Sequence, residues 1–128
     1  MTRRRLALGE SGEAIAARAL RRVGYRILAE RYTCSLGELD LVARDGETLV
    51  FVEVKTRSSA DRYPPGAAVD RRKQRQVARV AEHYLAAIRA GDVPCRFDVV
   101  AITVPEAGGS PQIEVIRDAF PAEGIDTF

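Results

Sequence analysis

The segment from Gly37 to Arg57, GELDLVARDGETLVFVEVKTR, constrains the fold more than any other part of the chain. Apolar and polar residues alternate on both sides of Asp45-Gly46, a strong tight-turn signal because both residues tolerate positive φ. The spacing predicts a β-hairpin. A two-residue loop at Asp45-Gly46 sets Arg44 against Glu47, so that facing residue numbers sum to 91. Because side chains alternate between the faces of a strand, Leu39, Leu41, Ala43, Val50, Val52 and Val54 then share a nearly pure core face. The other face carries Val42, Leu49 and Phe51 near the turn, and Glu38, Asp40, Glu53 and Lys55 at the open end.

Three carboxylates and an ammonium thus meet on one patch beside apolar neighbours. Crowded carboxylates repel one another unless a cation lies among them, which makes the patch a candidate divalent-metal site. The plainer alternative is an exposed sheet face laced with cross-strand ion pairs. Lysine usage favours the first. Lys55 and Lys73 are the only lysines among 20 basic residues. Arginine is planar and always protonated, whereas lysine is a compact point charge, so a lysine in Glu53-x-Lys55 suggests that an ammonium is wanted there.

With 128 residues, 46% hydrophobic and 30% charged, the chain has the make-up of one soluble globular domain with a single core. A flexible basic arm is expected at 1–8, the folded domain at 9–120 and a C-terminal tail at 121–128. No apolar run approaches the ~20 residues that span a bilayer. The basic start MTRRR lacks the apolar stretch and cleavage site of a secretory signal, so a cytoplasmic protein with no membrane partner is expected. The net charge of +2 is weak support for nucleic-acid binding when taken globally. Two distant cysteines, Cys34 and Cys95, and one histidine make a zinc cluster improbable, and reduced thiols are expected.

Along the chain, a helix is predicted from Gly9 to Val23, with Ala16, Ala19, Leu20 and Val23 as its apolar stripe. A strand follows over Tyr25–Tyr32, then the hairpin, then a loop over Ser58–Gly66 containing Pro64-Pro65-Gly66. A long helix is predicted over Val69–Ala90, a buried strand over Arg96–Val104 and a short strand over Gln112–Ile116. The order is αβββαββ, and a strand, long helix and strand invite a parallel crossover. The fold class is therefore α/β in the broad sense (α+β): a mixed five-stranded sheet flanked by two helices.

Glu13 lies at the edge of the first helix's core-facing stripe, where a carboxylate must meet a partner rather than water. It could equally complement the positive end of the helix dipole. Arg71, Arg72, Lys73, Arg75 and Arg79 crowd the start of the second helix, where cations oppose the dipole. Phosphate binding explains them, and a solvated charged face is the alternative. Asp98, in an apolar strand, reads as a buried, hydrogen-bonded acid, and His83 as an exposed one on the polar side of its helix. There is no Gly-rich phosphate loop or dinucleotide fingerprint, so no small-molecule cofactor is expected.

Taken together, Gly9-x-x-Gly12-Glu13-x-x-Ala16, Gly24-Tyr25, Gly37-Glu38-Leu39-Asp40-Leu41, Phe51-Val52-Glu53-Val54-Lys55-Thr56-Arg57, Val69 with Lys73, and Arg96-Phe97-Asp98-Val99-Val100 cover nearly the whole chain. In this ordered set the chain resembles the YraN-type family of small bacterial proteins. Those look like Holliday-junction resolvases of the PD-(D/E)xK, restriction-endonuclease-like superfamily. Two positions depart from the pattern: Leu39 stands where the superfamily has Pro, and Tyr32 where this family commonly has Asn.

The resemblance implies a metal-dependent DNA endonuclease, structure-selective for branched DNA and acting in repair or recombination, leaving 5′-phosphate ends. By the same resemblance Asp40 and Glu53 would hold Mg²⁺ or Mn²⁺, with the Val54 carbonyl as a further ligand and Glu13 completing the site. Lys55 would orient or help deprotonate the attacking water. Arg57, Arg71, Arg72, Lys73 and Arg75 would hold the DNA, and a homodimer is one assembly the resemblance leaves open. The competing expectations are a catalytically silent nucleic-acid-binding module and a protein-interaction scaffold on the same fold.

Overall fold

The structure, a computed structural model, describes residues 11–61 and 69–121. The expected arm at 1–8, the Pro64-Pro65-Gly66 loop and the tail beyond 121 lie outside the described residues. The first helix, α1 (Gly12–Arg22), starts at Ser11, whose side chain accepts the Ala14 N–H at 3.2 Å and so satisfies an otherwise orphaned donor. It buries Ile15, Ala16, Ala17 and Leu20. The stripe is rotated from the expected one. Val23 is the C-cap, not a helical residue, and is exposed, while Glu13 turns inward.

Five strands follow the expected order: β1 (Arg26–Cys34), β2 (Gly37–Asp45), β3 (Thr48–Ser58), then β4 (Cys95–Val104) and β5 (Gln112–Phe120) after the second helix, α2 (Arg71–Ala87). They form one sheet in the order β1-β2-β3-β4-β5. All neighbours are antiparallel except β3 and β4, which run parallel from Leu49↔Cys95 to Ser58↔Val104. Parallel neighbours need a long crossover, and α2 provides it. The sheet is mixed and flanked by two helices, an α+β arrangement as the sequence predicts.

Alternation along the strands sends apolar side chains to both faces, so each face needs a cover. Val77, Val80, Ala81, Tyr84 and Leu85 of α2 pack with Val42, Leu49, Phe51, Phe97, Val99 and Phe120. Ile15, Ala16, Ala17 and Leu20 of α1 pack with Leu41, Ala43, Val50, Val52, Val100 and Ile102 on the opposite face. Fully burying a side chain such as Phe51 contributes ~1.5–3 kcal/mol. No helix among the described residues is long and apolar enough to cross a membrane. Cys34 and Cys95 are unbridged and half-buried.

The hairpin register differs from expectation. The loop is Gly46-Glu47, so Asp45 pairs with Thr48 and Leu41 with Val52, and facing numbers sum to 93 rather than 91. Gly46 has φ +61, the positive value favoured for glycine at the first central position of a tight hairpin loop. A shift of two preserves which face most residues point to but changes who stands opposite whom. Extended by one residue, the observed register sets Asp40 against Glu53, where the sequence-derived one set it against Phe51.

Strict alternation also fails at one level of the sheet. Leu39 joins the α2-side core, whereas Leu41, two residues on, joins the α1-side core. The strand therefore rotates at Asp40. Opposite it on β1, between the pairs Glu30↔Leu41 and Tyr32↔Leu39, Arg31 has φ +54, although the register of β1 shifts only further along, between Ile27 and Ala29. The β2–β3 ladder ends at Leu41↔Val52. Strands β2 and β3 part where the acidic residues begin.

Candidate active site

Parted strands leave backbone donors in need of partners, and buried N–H groups are rarely left unpaired. Asp40 meets one such need: its Oδ2 accepts the Val54 N–H at 2.8 Å, taking the place of a ladder bond. Glu53, one residue earlier on β3, points to the α2 side as Phe51 does. Asp40 is 6% exposed and Glu53 4%, so the two carboxyl groups are withdrawn from water side by side. Burial, and after it the charge and hydrogen bond of Asp40, push the Glu53 carboxyl up to about 7 against the opposing pull of Lys73 and Lys55. Two adjacent acids that resist ionising together are short of positive charge.

Part of that charge comes from the protein. Lys55 Nζ lies 3.9 Å from Glu53 Oε2, and Lys73 Nζ lies 3.4 Å from the same oxygen. Both lysines of the chain converge on one carboxylate. Lys73 can do so because it stands at i−4 and i−7 from Val77 and Val80, which places it at the N-terminal end of the buried stripe of α2, facing the sheet. Asp70 fixes that turn, its Oδ1 accepting the Lys73 N–H at 2.8 Å.

Glu13 is buried, on α1. A Cβ at its neighbour Gly12 would lie 3.3 Å from Thr56 Oγ1 and 3.5 Å from Val54 Cγ1, so the first turn of α1 sits directly on β3 just past Glu53. It does so from the face opposite α2. Among the described residues no three His, Cys, Asp or Glu side chains gather into an ion-holding group. The expected trio is thus a buried pair, with Glu13 on a neighbouring element. Glu38 is half-buried and pairs across β1 with Thr33.

The donor set nonetheless suits one kind of ion. Mg²⁺ is held by one or two carboxylates together with waters and substrate phosphates rather than by an all-protein cage. Two adjacent buried acids with oxygen donors alone match that habit. A soft or nitrogen-preferring ion finds nothing here, since the cysteines and His83 take no part.

The basic residues divide into two groups. Arg72, Arg75, Gln76 and Arg79 follow the i, i+3, i+4, i+7 spacing of one helix face. With Asp70, Lys73 and Leu36 they line a groove of about 610 Å³. The side chains of Arg72, Arg75 and Arg79 make no hydrogen bond or ion pair among the described residues. Arg57 and Arg71 stand outside this lining, and Arg57 Nη2 donates to the Asp61 carbonyl at 3.0 Å. Leu36 and Gln76 escape sequence reasoning. Gln76 shares the arginine stripe, a usable signal, whereas Leu36 reaches the groove only through the β1–β2 turn. That turn packs closely on α2: a Cβ at Gly37, which has φ +138, would meet Gln76 Nε2 at 2.8 Å.

Asp98 belongs to a different structure. Fully buried, it accepts from Tyr25 Oη at 2.8 Å, Arg96 Nε at 3.0 Å and the Asp118 N–H at 3.0 Å. Arg96 also reaches Asp45 at 2.8 Å. This network ties β4 to β5, the hairpin turn and Tyr25, the residue just before β1. His83 is exposed, as expected, and makes a 2.6 Å hydrogen bond with Tyr32 Oη.

Fold and site together define a small α+β protein with a buried acidic pair flanked by two ammonium groups, one of which, that of Lys73, also lines a basic groove. The chain belongs to the group described as uncharacterised protein family UPF0102, whose family model matches residues 12–102. It is 50% identical over 113 residues to a UPF0102 protein of Geobacter metallireducens, covering 88% of this chain and 91% of the relative. A UPF0102 protein of Moorella thermoacetica is 47% identical over 120 residues, 94% of this chain and 98% of its own. Another from Symbiobacterium thermophilum is 47% identical over 115 residues, 90% of this chain and 97% of its own.

Proposed function

We propose that the protein is a Mg²⁺- or Mn²⁺-dependent DNA endonuclease of the PD-(D/E)xK type, selective for branched DNA and working in the cytoplasm. The observation that carries this reading is the buried Asp40–Glu53 pair with Lys55 and Lys73 both within 4 Å of Glu53. Asp40, Glu53, the Val54 carbonyl and Glu13 are the groups that would hold the ion. When bound, the ion supplies Lewis-acid activation of phosphorus and water that no side chain here provides. Lys55 orients the attacking water and its ammonium stabilises the charge that develops at the phosphorus, while Arg72, Arg75 and Arg79 hold backbone phosphates along α2. Arg57 and Arg71 act further out along the DNA.

Lys55→Arg separates chemistry from binding. The guanidinium keeps the charge but cannot occupy the same point, so cleavage of branched and linear DNA in Mn²⁺ should fall by ~10²–10⁴-fold with little change in affinity. Products of the wild type should carry 5′ phosphates. Undiminished cleavage by Lys55→Arg contradicts the role given to Lys55. A wild type that binds these DNAs and cuts none of them points instead to a silent binding module.

A further inference from the structure

One side chain stands in both halves of this site. Lys73 lines the basic groove with Arg72, Arg75 and Arg79, and its ammonium is also 3.4 Å from Glu53 Oε2. Its side chain is 33% exposed against 5% for Glu53, so it reaches from solvent into the buried pair. The arginines of the groove have no such second contact among the described residues. We infer that Lys73 couples the groove to the acidic pair: in the DNA-free protein it occupies Glu53 as a resident cation, and a backbone phosphate entering the groove draws it away and leaves Glu53 open to a divalent ion. The inference rests on the nucleolytic reading above and adds to it an order of events and a residue responsible for that order.

The physical basis is competition for one ammonium. In the DNA-free protein a divalent ion must displace or repel Lys73 to reach Glu53, which weakens its binding. A phosphate in the groove is an alternative partner for the same ammonium and relieves that opposition. Linkage makes the effect reciprocal: if DNA tightens ion binding by a given factor, the ion tightens DNA binding by the same factor. The coupling also lowers ion occupancy of the reaction centre until substrate is present.

Lys73 therefore opposes ion binding when the groove is empty, a sign opposite to that of a residue that only holds phosphate. Mn²⁺ binding to the DNA-free protein is measured by calorimetry for wild type, Lys73→Met, Lys73→Gln and Arg72→Ala. Binding of a phosphorothioate duplex, whose linkages keep their charge and resist hydrolysis, is measured by anisotropy with and without Mn²⁺. Both Lys73 variants should bind Mn²⁺ about tenfold more tightly than wild type, within the range usual for coupled sites. Their gain in DNA affinity on adding Mn²⁺ should shrink by a similar factor. Arg72→Ala should weaken DNA binding while keeping wild-type Mn²⁺ affinity and wild-type coupling. Unchanged or weaker Mn²⁺ binding by the Lys73 variants overturns the coupling and leaves the nuclease reading standing. A wild type that binds no Mn²⁺ either with or without DNA, or that binds no DNA, overturns both.

Discussion

Lys73 Nζ approaches Glu53 Oε2 to 3.4 Å, closer than Lys55, which is only two residues from Glu53 on the same strand and lies at 3.9 Å. A contact between α2 and β3 is thus tighter than the one within Glu53-x-Lys55. It follows from helix geometry, because Lys73 ends the stripe of α2 that otherwise carries Val77, Val80, Ala81 and Tyr84 against the sheet. The first turn of α2 contains no acidic residue, and Asp70 as N-cap is what holds it in place.

The buried pair should make stability depend on pH in a particular direction. Glu53 is pushed up from 4.5 to about 7, first by burial and then by Asp40, so the fold prefers its neutral form. A raised value contributes stability that is fully present below the unfolded pKa and is lost as pH rises through the folded one. In chelator, the wild type should lose on the order of 1–3 kcal/mol from this group between about pH 4.5 and 7, relative to Glu53→Gln, which cannot ionise. Urea melts across that range test it. Parallel profiles for the two proteins would remove Glu53 as the source.

Asp98 predicts the opposite phenotype, loss of stability with the site intact. Asp98→Ala strands Arg96 and Tyr25 and frees the Asp118 N–H, whose residue holds φ +51. Removing one partner of a buried ion pair costs ~3–5 kcal/mol. Denaturant unfolding should show that loss, while the stabilisation by Mn²⁺ of the remaining folded protein stays as in wild type. A loss below ~1 kcal/mol would contradict the anchoring role.

The groove makes a prediction about salt. Each phosphate neutralised by a basic side chain contributes ~0.9 to the slope of log affinity against log salt on duplex DNA. Arg72→Ala with Arg75→Ala should weaken binding to duplexes of any sequence and flatten that slope by nearly two. Arg71→Ala, outside the groove lining, should change it less. Equal slopes for wild type and the double variant would return these arginines to a solvated face.

Much of this was legible in the chain. Alternation about Asp45-Gly46 and the helical stripe of Val77, Val80, Ala81, Tyr84 and Leu85 are local patterns, and they carried the element order and the mixed sheet. The burial of Glu13 and Asp98 was also foreseeable, since each stands among apolar neighbours. That Asp40 and Glu53 share a patch was foreseen, but that they lie opposite each other was not. It depends on the loop being Gly46-Glu47, a choice of one turn over another that composition does not decide. The rotation of β2 at Asp40 was equally hidden, because it arises opposite Arg31 of β1, whose φ is +54. Lys73 was grouped with its arginine neighbours by charge, although its helical phase already set it apart. Leu36 could be placed beside α2 only once the β1–β2 turn was seen packed against Gln76.

The claim on which the rest depends is that Asp40 and Glu53 hold a divalent ion, and thermal unfolding with and without Mn²⁺ tests it without needing a substrate. Binding at 100 times Kd stabilises the folded state by ~2.7 kcal/mol, which for a domain of this size raises Tm by ~5–10 °C. The account predicts such a rise for the wild type and its near loss in Asp40→Ala, whose metal-free Tm reflects two opposing changes, relief of the repulsion on Glu53 and loss of the partner of the Val54 N–H. An equal rise in Asp40→Ala and wild type would contradict it.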